Sequence, residues 1–403
     1  MSAMEKTRSG LPVSKTMLLP KEEMLEIQRK EKKIVIGIPS DLPKVEYRVP
    51  LTPQAVDLLV SYGHEIYIET GAGMPASYSD REYSEAGAVI VEKREEIFQC
   101  DIILRVAPFN CEEIDLLRGH QVVISNMQTE AQCLEKIAQK KITCIAYEYL
   151  EDEEGFLPAV DQMSQILGVT AITIASEYLS TSRGGKGVLF GDVTGITPAE
   201  LVILGSGTAA EFAARAALGL GILVKMFDTS VADLNKLENK LGRRIFTSVF
   251  YPKVLRKALV SADAVIGAMP FNSTPQFKVS EELVKEMKEN SVIIDLNVSQ
   301  GGCFETTHCT DLKNPTYRKH GVIHYCAPNI PSLVARTASI SLSNTLIPLL
   351  LAIGENGGVD SYIKHSKGFR KGVYLYQGIL TNHDVGRRFN LPSNDIELLL
   401  AMY

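Results

Sequence analysis

Short apolar runs recur along the chain, separated by longer stretches whose apolar residues repeat every three or four positions. The runs at 34–38, 66–68, 89–91, 102–106, 122–124 and 142–146 have strand length and are rich in β-branched residues. Helical patterns lie between them. One opens at Thr52-Pro53, an N-cap followed by proline at the first helical position, and stops at Gly63. A long apolar helix over 163–179 then leads, through the loop from Ser182 to Gly187, into a second series of strands at 201–204, 222–227, 264–266, 292–294 and 322–325. Beyond Pro331 another apolar helical stretch reaches Ile353 and is expected to return over the first series. Strand–helix alternation of this kind predicts a doubly wound α/β fold, with parallel strands covered on both faces.

One segment says what such a fold could hold. The strand Leu201-Val202-Ile203-Leu204 runs directly into Gly205-Ser206-Gly207-Thr208-Ala209-Ala210. An Ala-rich helix follows, and then a second strand ends at Asp228, 23 residues after Gly205. Gly205 permits a tight turn, Gly207 lets the backbone approach a pyrophosphate, and Ala210 is the small residue of close packing. The helix start offers free N–H groups and the positive end of a dipole to phosphates. A carboxylate at the tip of the second strand can accept both ribose hydroxyls of an adenosine. It would also repel a 2′-phosphate, and Thr229, Ser230 and Val231 bring no cation to attract one, so the expected cofactor is NAD rather than NADP. The predicted architecture is two Rossmann-like domains with a cleft between them. Residues 1–32 form an N-terminal arm, 33–162 with 334–403 a discontinuous substrate domain, and 163–333 the dinucleotide-binding domain.

Composition narrows the partners. The formal net charge of −6 argues against nucleic acid or an anionic membrane. The longest apolar stretch, around 346–353, reads as too short to cross a bilayer, and no secretory h-region opens the chain, so a cytoplasmic protein is expected. Seven cysteines without a framework spacing predict thiols rather than disulfides. Cys303, His308, Cys309, His324 and Cys326 cluster in sequence, but at spacings that match no zinc pattern, and no metal is predicted.

Several further motifs resemble one family. They are Arg48-Val49-Pro50-Leu51-Thr52-Pro53, Glu69-Thr70-Gly71-Ala72-Gly73, Ser299-Gln300-Gly301-Gly302-Cys303-Phe304-Glu305-Thr306, Asn314-Pro315-Thr316-Tyr317, and Gly321-Val322-Ile323-His324-Tyr325-Cys326. Their order and spacing resemble the alanine dehydrogenases, within a group that includes the N-terminal part of the nicotinamide nucleotide transhydrogenase α subunit. The resemblance runs from about residue 33 to 356. It implies NAD-dependent oxidation of L-alanine, a small amino or keto acid as substrate, and a homo-oligomer, commonly a hexamer. It adds Ser164 on the phosphates, Met269 beside the adenosine ribose, Ser299 on the nicotinamide side and Asn329 near the nicotinamide.

The resemblance breaks where the substrate would sit. Arg48 matches the family arginine that holds the substrate carboxylate. Ala107, however, stands in the slot of the second cation, a lysine, and Gln128 in that of the acid/base histidine. Ser299 replaces an acid. Glutamine exchanges no proton near neutral pH and alanine binds no carboxylate. Arg105, Glu148 and Lys186 are the candidates to take over. Three functions are compatible with this pattern: an amino-acid dehydrogenase with an altered site, a transhydrogenase-like hydride carrier, and an NAD(H)-binding protein without amino-acid turnover.

Overall fold

The computed structural model describes residues 32–41, 46–126, 130–269 and 277–401. Nearly all of the predicted N-terminal arm, and Gln128, lie outside them.

Two α/β units each carry one sheet. In the first, β1 (Val35–Ile38), β2 (Glu65–Glu69), β3 (Val89–Val91), β4 (Ile102–Leu104), β5 (Val122–Ser125) and β6 (Thr143–Ala146) are parallel. The hairpin of β14 (Val373–Tyr376) and β15 (Ile379–Leu380) joins antiparallel beside β6. The strand order is β15-β14-β6-β5-β4-β1-β2-β3. The second sheet contains β7 (Glu200–Leu204), β8 (Leu223–Asp228), β9 (Phe246–Val249), β10 (Ala264–Gly267), β11 (Val292–Asp295), β12 (Thr316–Lys319) and β13 (Val322–Tyr325), in the order β12-β13-β11-β10-β7-β8-β9. Only β12 runs antiparallel. The central strands β7, β10, β11 and β13 are buried almost throughout, as helices on both faces require.

Four strands lie outside the predicted runs: β9, β12, β14 and β15. β12 reads Thr-Tyr-Arg-Lys, a polar edge strand with no apolar alternation. The β14–β15 hairpin turns at Gln377-Gly378, both with positive φ, a turn that suits the twist of paired strands.

Two expectations are corrected. The apolar helix after Pro331 spans Ala335–Glu355, 21 residues, so by length and composition it could cross a bilayer. Its Ala338, Leu342, Leu346, Leu350 and Ile353 are instead buried in the core of the first unit. That stripe makes it a packed core helix. Second, the cysteines are not all thiols. Cys111 and Cys133 are joined in a disulfide between the Cys111–Leu116 and Ala131–Gln139 helices. The pair is 22 residues apart in sequence and meets because β4 and β5 are neighbours.

Candidate active site

The glycine turn after β7 is built as its sequence predicts. Gly205 has φ +117°, and a Cβ there would lie 2.2 Å from the carbonyl oxygen of Ala268, so only glycine fits. Gly207 caps the Thr208–Gly219 helix, whose first N–H groups face outward from the sheet's carboxyl end. Asp228 ends β8 and is buried. It accepts hydrogen bonds from the Ser206 hydroxyl (2.7 Å) and the Ser230 N–H (2.9 Å), which hold the carboxylate beside the turn.

The Pro158–Leu179 helix closes this turn from the other side. A Cβ on its Gly168 would sit 2.2 Å from the carbonyl oxygen of Ala209, which is why the two helices can pack in contact. Two turns earlier, Asp161 accepts a hydrogen bond from the Thr208 hydroxyl at 2.9 Å. A cavity of about 270 Å³ results, lined among others by Asp161, Ser164, Gly207, Thr208 and Met269. Four predicted residues from three parts of the chain thus meet at one helix N-terminus. Asn297, which sequence reasoning missed, clamps Met269 through both its backbone N–H and its carbonyl.

A second cavity, of about 510 Å³, lies in the cleft. Asp41, Glu46, Arg48, Arg105, Ala107, Asn110, Glu113, Asn126, Ser299 and Asn329 line it. Met163, the neighbour of Ser164, accepts from Arg48 Nη1 at 3.3 Å and so ties the helix beside the first cavity to a residue on the wall of the second. Arg48 is held by Glu46, donating from Nε (2.8 Å) and Nη2 (2.7 Å), and Nη2 also donates to Asn329 Oδ1 (2.8 Å). Asn329 sits at φ +62°, a left-handed position that asparagine tolerates, and so turns its amide into the cleft. Burial opposes ionisation of Glu46, but Arg48 and Asn329 outweigh it and hold the carboxyl below the usual range. Arg48 remains charged, because Glu46 outweighs its burial.

Arg105 follows β4 directly. The strand ends at Leu104, and the Arg105 side chain lines the cavity. It is engaged by Asp41 at Nε and by Glu113 at Nη1, and Arg94 holds the other oxygen of Glu113. Glu113 also closes the capping box of the Cys111–Leu116 helix with Asn110. Ser299, in the 3-10 turn Val298–Gln300, lines the same cavity. The other two takeover candidates lie elsewhere. Glu148 is buried in the 3-10 turn Tyr147–Tyr149 and is not among the lining residues. Lys186 pairs at 3.6 Å with Asp263, which precedes β10 at the amino end of the sheet, opposite the cleft.

Among the described residues, no group of three or more His, Cys, Asp or Glu is placed to hold a metal ion. His324 is a hydrogen-bonded core residue: Nε2 meets the Thr306 hydroxyl at 2.9 Å and Nδ1 meets the Val322 carbonyl at 3.1 Å.

Sequence reasoning also missed Asp41, Glu46 and Glu113. Glu46 could have been found, since it stands two residues before Arg48 in the same extended segment. Asp41 and Glu113 left no comparable signal, because their partners are distant in sequence.

Two nucleotide-fold units meeting over a cleft, one with a glycine turn and the other with a buried arginine, define the class of two-domain dinucleotide enzymes. Comparison with known proteins agrees. The family description "Alanine dehydrogenase/PNT, N-terminal domain" matches residues 37–167, and "Alanine dehydrogenase/PNT, C-terminal domain" matches 171–383. An alanine dehydrogenase of Methanococcus maripaludis is 36% identical over 91% of this chain and 100% of its own length. One of Mycolicibacterium smegmatis is 34% identical over 91% and 100%. A solved L-alanine dehydrogenase structure covers 89% of this chain and 99% of its own, with a TM-score of 0.84 and 33% identity. A transhydrogenase from Sinorhizobium meliloti shares the fold, with a TM-score of 0.72 at 22% identity. The chain belongs to the alanine dehydrogenase/PNT family.

Proposed function

We propose that the protein is an NAD-dependent amino-acid dehydrogenase, which oxidises a small L-amino acid of the alanine type to its keto acid and ammonia. The observation that carries this is a pair of cavities tied through the Arg48–Met163 contact: Ser164, Gly207, Thr208 and Met269 line one, while Arg48, Ser299 and Asn329 line the other. The residues fit the cofactor. Gly205 leaves the backbone open where a side chain could not stand, and the helix at Thr208 offers N–H groups to a pyrophosphate. Asp228 would take the adenosine ribose hydroxyls, which favours NAD over NADP. When bound, NAD accepts the hydride from the amino-acid Cα.

The chain's own residues supply the rest. Arg48 anchors the substrate carboxylate, and the Glu46–Arg48–Asn329 bonds fix the guanidinium plane so that the anchor is preorganised. Asn329 and Ser299 stand beside the nicotinamide end. Ala107 offers no second cation, so the carboxylate is held less firmly than in relatives with a lysine there. The substrate domain is 33–162 with 334–403, the dinucleotide domain 163–333, and the working form a cytoplasmic homo-oligomer.

The test is a panel of amino acids with NAD, read at 340 nm at alkaline pH, with keto acids plus ammonia and NADH as the reverse. Turnover of alanine or another small amino acid is expected. NADH binding without turnover in either direction would favour an NAD(H)-binding protein, the reading that Ala107 and Gln128 suggest.

A further inference from the structure

The family position for the proton-exchanging histidine holds Gln128, so an amino-acid dehydrogenase built on this chain needs another acid/base. Three carboxylates line the substrate cavity, and their hydrogen bonds separate them. Glu46 uses both oxygens: Oε1 accepts from the Arg48 backbone, Arg48 Nε and the Ser332 hydroxyl, and Oε2 from Arg48 Nη2 and Asn329. Glu113 also uses both, Oε1 with Arg94 and Oε2 with Arg105 and the Asn110 N–H. Asp41 is engaged on one side only. Arg105 Nε holds Oδ1, and Oδ2 accepts no hydrogen bond from the described residues. Asp41 therefore has a fixed orientation and one oxygen left for a proton, on the wall of the cavity that contains Arg48, Ser299 and Asn329.

We propose that Asp41 is the acid/base of this site, in place of the missing histidine, oriented by the chain Arg105–Glu113–Arg94. This rests on the dehydrogenase reading above.

The chemistry balances as follows. The substrate reacts as its neutral amine, the ammonium proton having gone to solvent, and loss of hydride to NAD leaves an iminium at the former Cα. Water adds to that carbon as one of its O–H bonds breaks, and the proton goes to Asp41 Oδ2. The same proton passes to the nitrogen of the carbinolamine. Asp41 then takes the hydroxyl proton as the C–N bond breaks, which yields the keto acid and ammonia, and finally returns it to make ammonium. Iminium plus water thus becomes keto acid plus ammonium, and Asp41 ends ionised.

Its surroundings suit that role. Burial pushes the Asp41 carboxyl up to about 6, which Arg105 only partly opposes and which Glu46 and Glu113 reinforce. Arg48 and Tyr147 also face it. A group titrating near 6 can both take and give a proton near neutrality, as glutamine cannot.

Asp41→Asn keeps an acceptor for Arg105 and removes the proton site. In the full-length protein it should lower kcat for amino-acid oxidation by about 10²–10⁴-fold, while fluorescence titration shows unchanged NADH affinity. The acid limb of the kcat/KM pH profile should disappear. Asp41→Glu should restore the limb with an intermediate rate. Independently of activity, protein labelled with ¹³C at the aspartate carboxyls should show one resonance, absent from Asp41→Asn, with a midpoint near 6. If Asp41→Asn keeps kcat within about threefold, or the resonance titrates below about 4, Asp41 is not the acid/base while the dehydrogenase reading stands. Parallel loss of kcat and NADH affinity means a structural role and overturns the proposal. Absence of turnover in the unmodified protein with every amino and keto acid removes the dehydrogenase reading and this proposal together.

Discussion

The two halves of the cleft are made in different ways. On the dinucleotide side backbone geometry dominates: a glycine turn, a helix N-terminus, and one carboxylate held by the hydroxyl and N–H of its near neighbours. On the substrate side charge dominates. One buried and one part-buried guanidinium, Arg105 and Arg48, meet three buried or half-buried carboxylates, and almost every charged atom is already engaged. Backbone sites tolerate surface change and fail when the backbone moves. Charge networks tolerate small shifts and fail when one partner is removed, because a buried ion left alone costs several kcal/mol.

The sharpest test of the difference is Gly205→Val. A branched side chain at φ +117°, with its Cβ 2.2 Å from the Ala268 carbonyl, must displace the loop to Met269. NADH affinity should fall at least about 100-fold, roughly 2.7 kcal/mol, with little change in the cleft around Arg48. Isothermal titration gives the affinity. Retained NADH binding would show that the turn is not the phosphate cradle.

The complementary test is Arg48→Lys, which keeps the charge and loses the fork that grips Glu46 and Asn329. Turnover should drop about 10²-fold with NADH binding unchanged. Arg48→Ala would strand Glu46 and cost about 3–5 kcal/mol of stability, so it is informative only with Glu46→Gln beside it, compared by thermal melting. Unequal response of the two sides is the expected result. Equal loss of NADH binding would show that the two cavities are one energetic unit.

A smaller effect follows from Asp228→Asn. Loss of a charged acceptor should weaken NADH by about 1.5–3 kcal/mol and narrow its advantage over NADPH. Comparable affinities for the two cofactors in the unmodified protein would remove Asp228 from the ribose site.

The same contrast explains what the sequence reveals. The glycine turn is legible because its parts are local: Gly205, Gly207, Thr208 and Asp228 fall within one strand–helix–strand unit. The parallel strands are legible for a similar reason, since strands buried on both faces read as continuous apolar runs. The substrate network is not local. Arg48 meets Asn329 across 281 positions and Arg105 meets Asp41 across 64. No periodicity records such pairs, and only the motif around Arg48 marked its place. Arg105 was visible as a candidate but not its engagement, and Lys186 was attractive in a glycine loop that the fold puts at the far end of the sheet. The Cys111–Cys133 bridge stayed hidden because it depends on β4 and β5 being neighbours.

The smallest expected effect separates the two units by their response to acid. His324 in the second sheet is buried and neutral. Burial lowers its pKa to about 4, and the Val322 carbonyl fixes Nδ1 as the donor. Unfolded, the same ring binds a proton at an ordinary histidine value near 6.5. Between those values the unfolded state holds the extra proton, so stability rises with pH. The contribution is complete above about pH 6.5 and is lost as the pH falls toward 4. Glu46 in the substrate cleft is also depressed, and its contribution is present above the unfolded carboxyl value of 4.5 and lost only at lower pH. Mild acid, between pH 6.5 and 4.5, therefore withdraws the His324 contribution from the second unit, while on the substrate side Asp41, raised to about 6, takes up a proton in the folded state and acts with the opposite sign, and buried His64 adds a loss of the same sign as His324. Thermal melting over that range is therefore read as a difference between variants: His324→Gln should remove part of the acid-dependent loss of stability, and Glu46→Gln should leave it in place. A decline that tracks Glu46 instead would place the acid-sensitive element in the charge network of the substrate side.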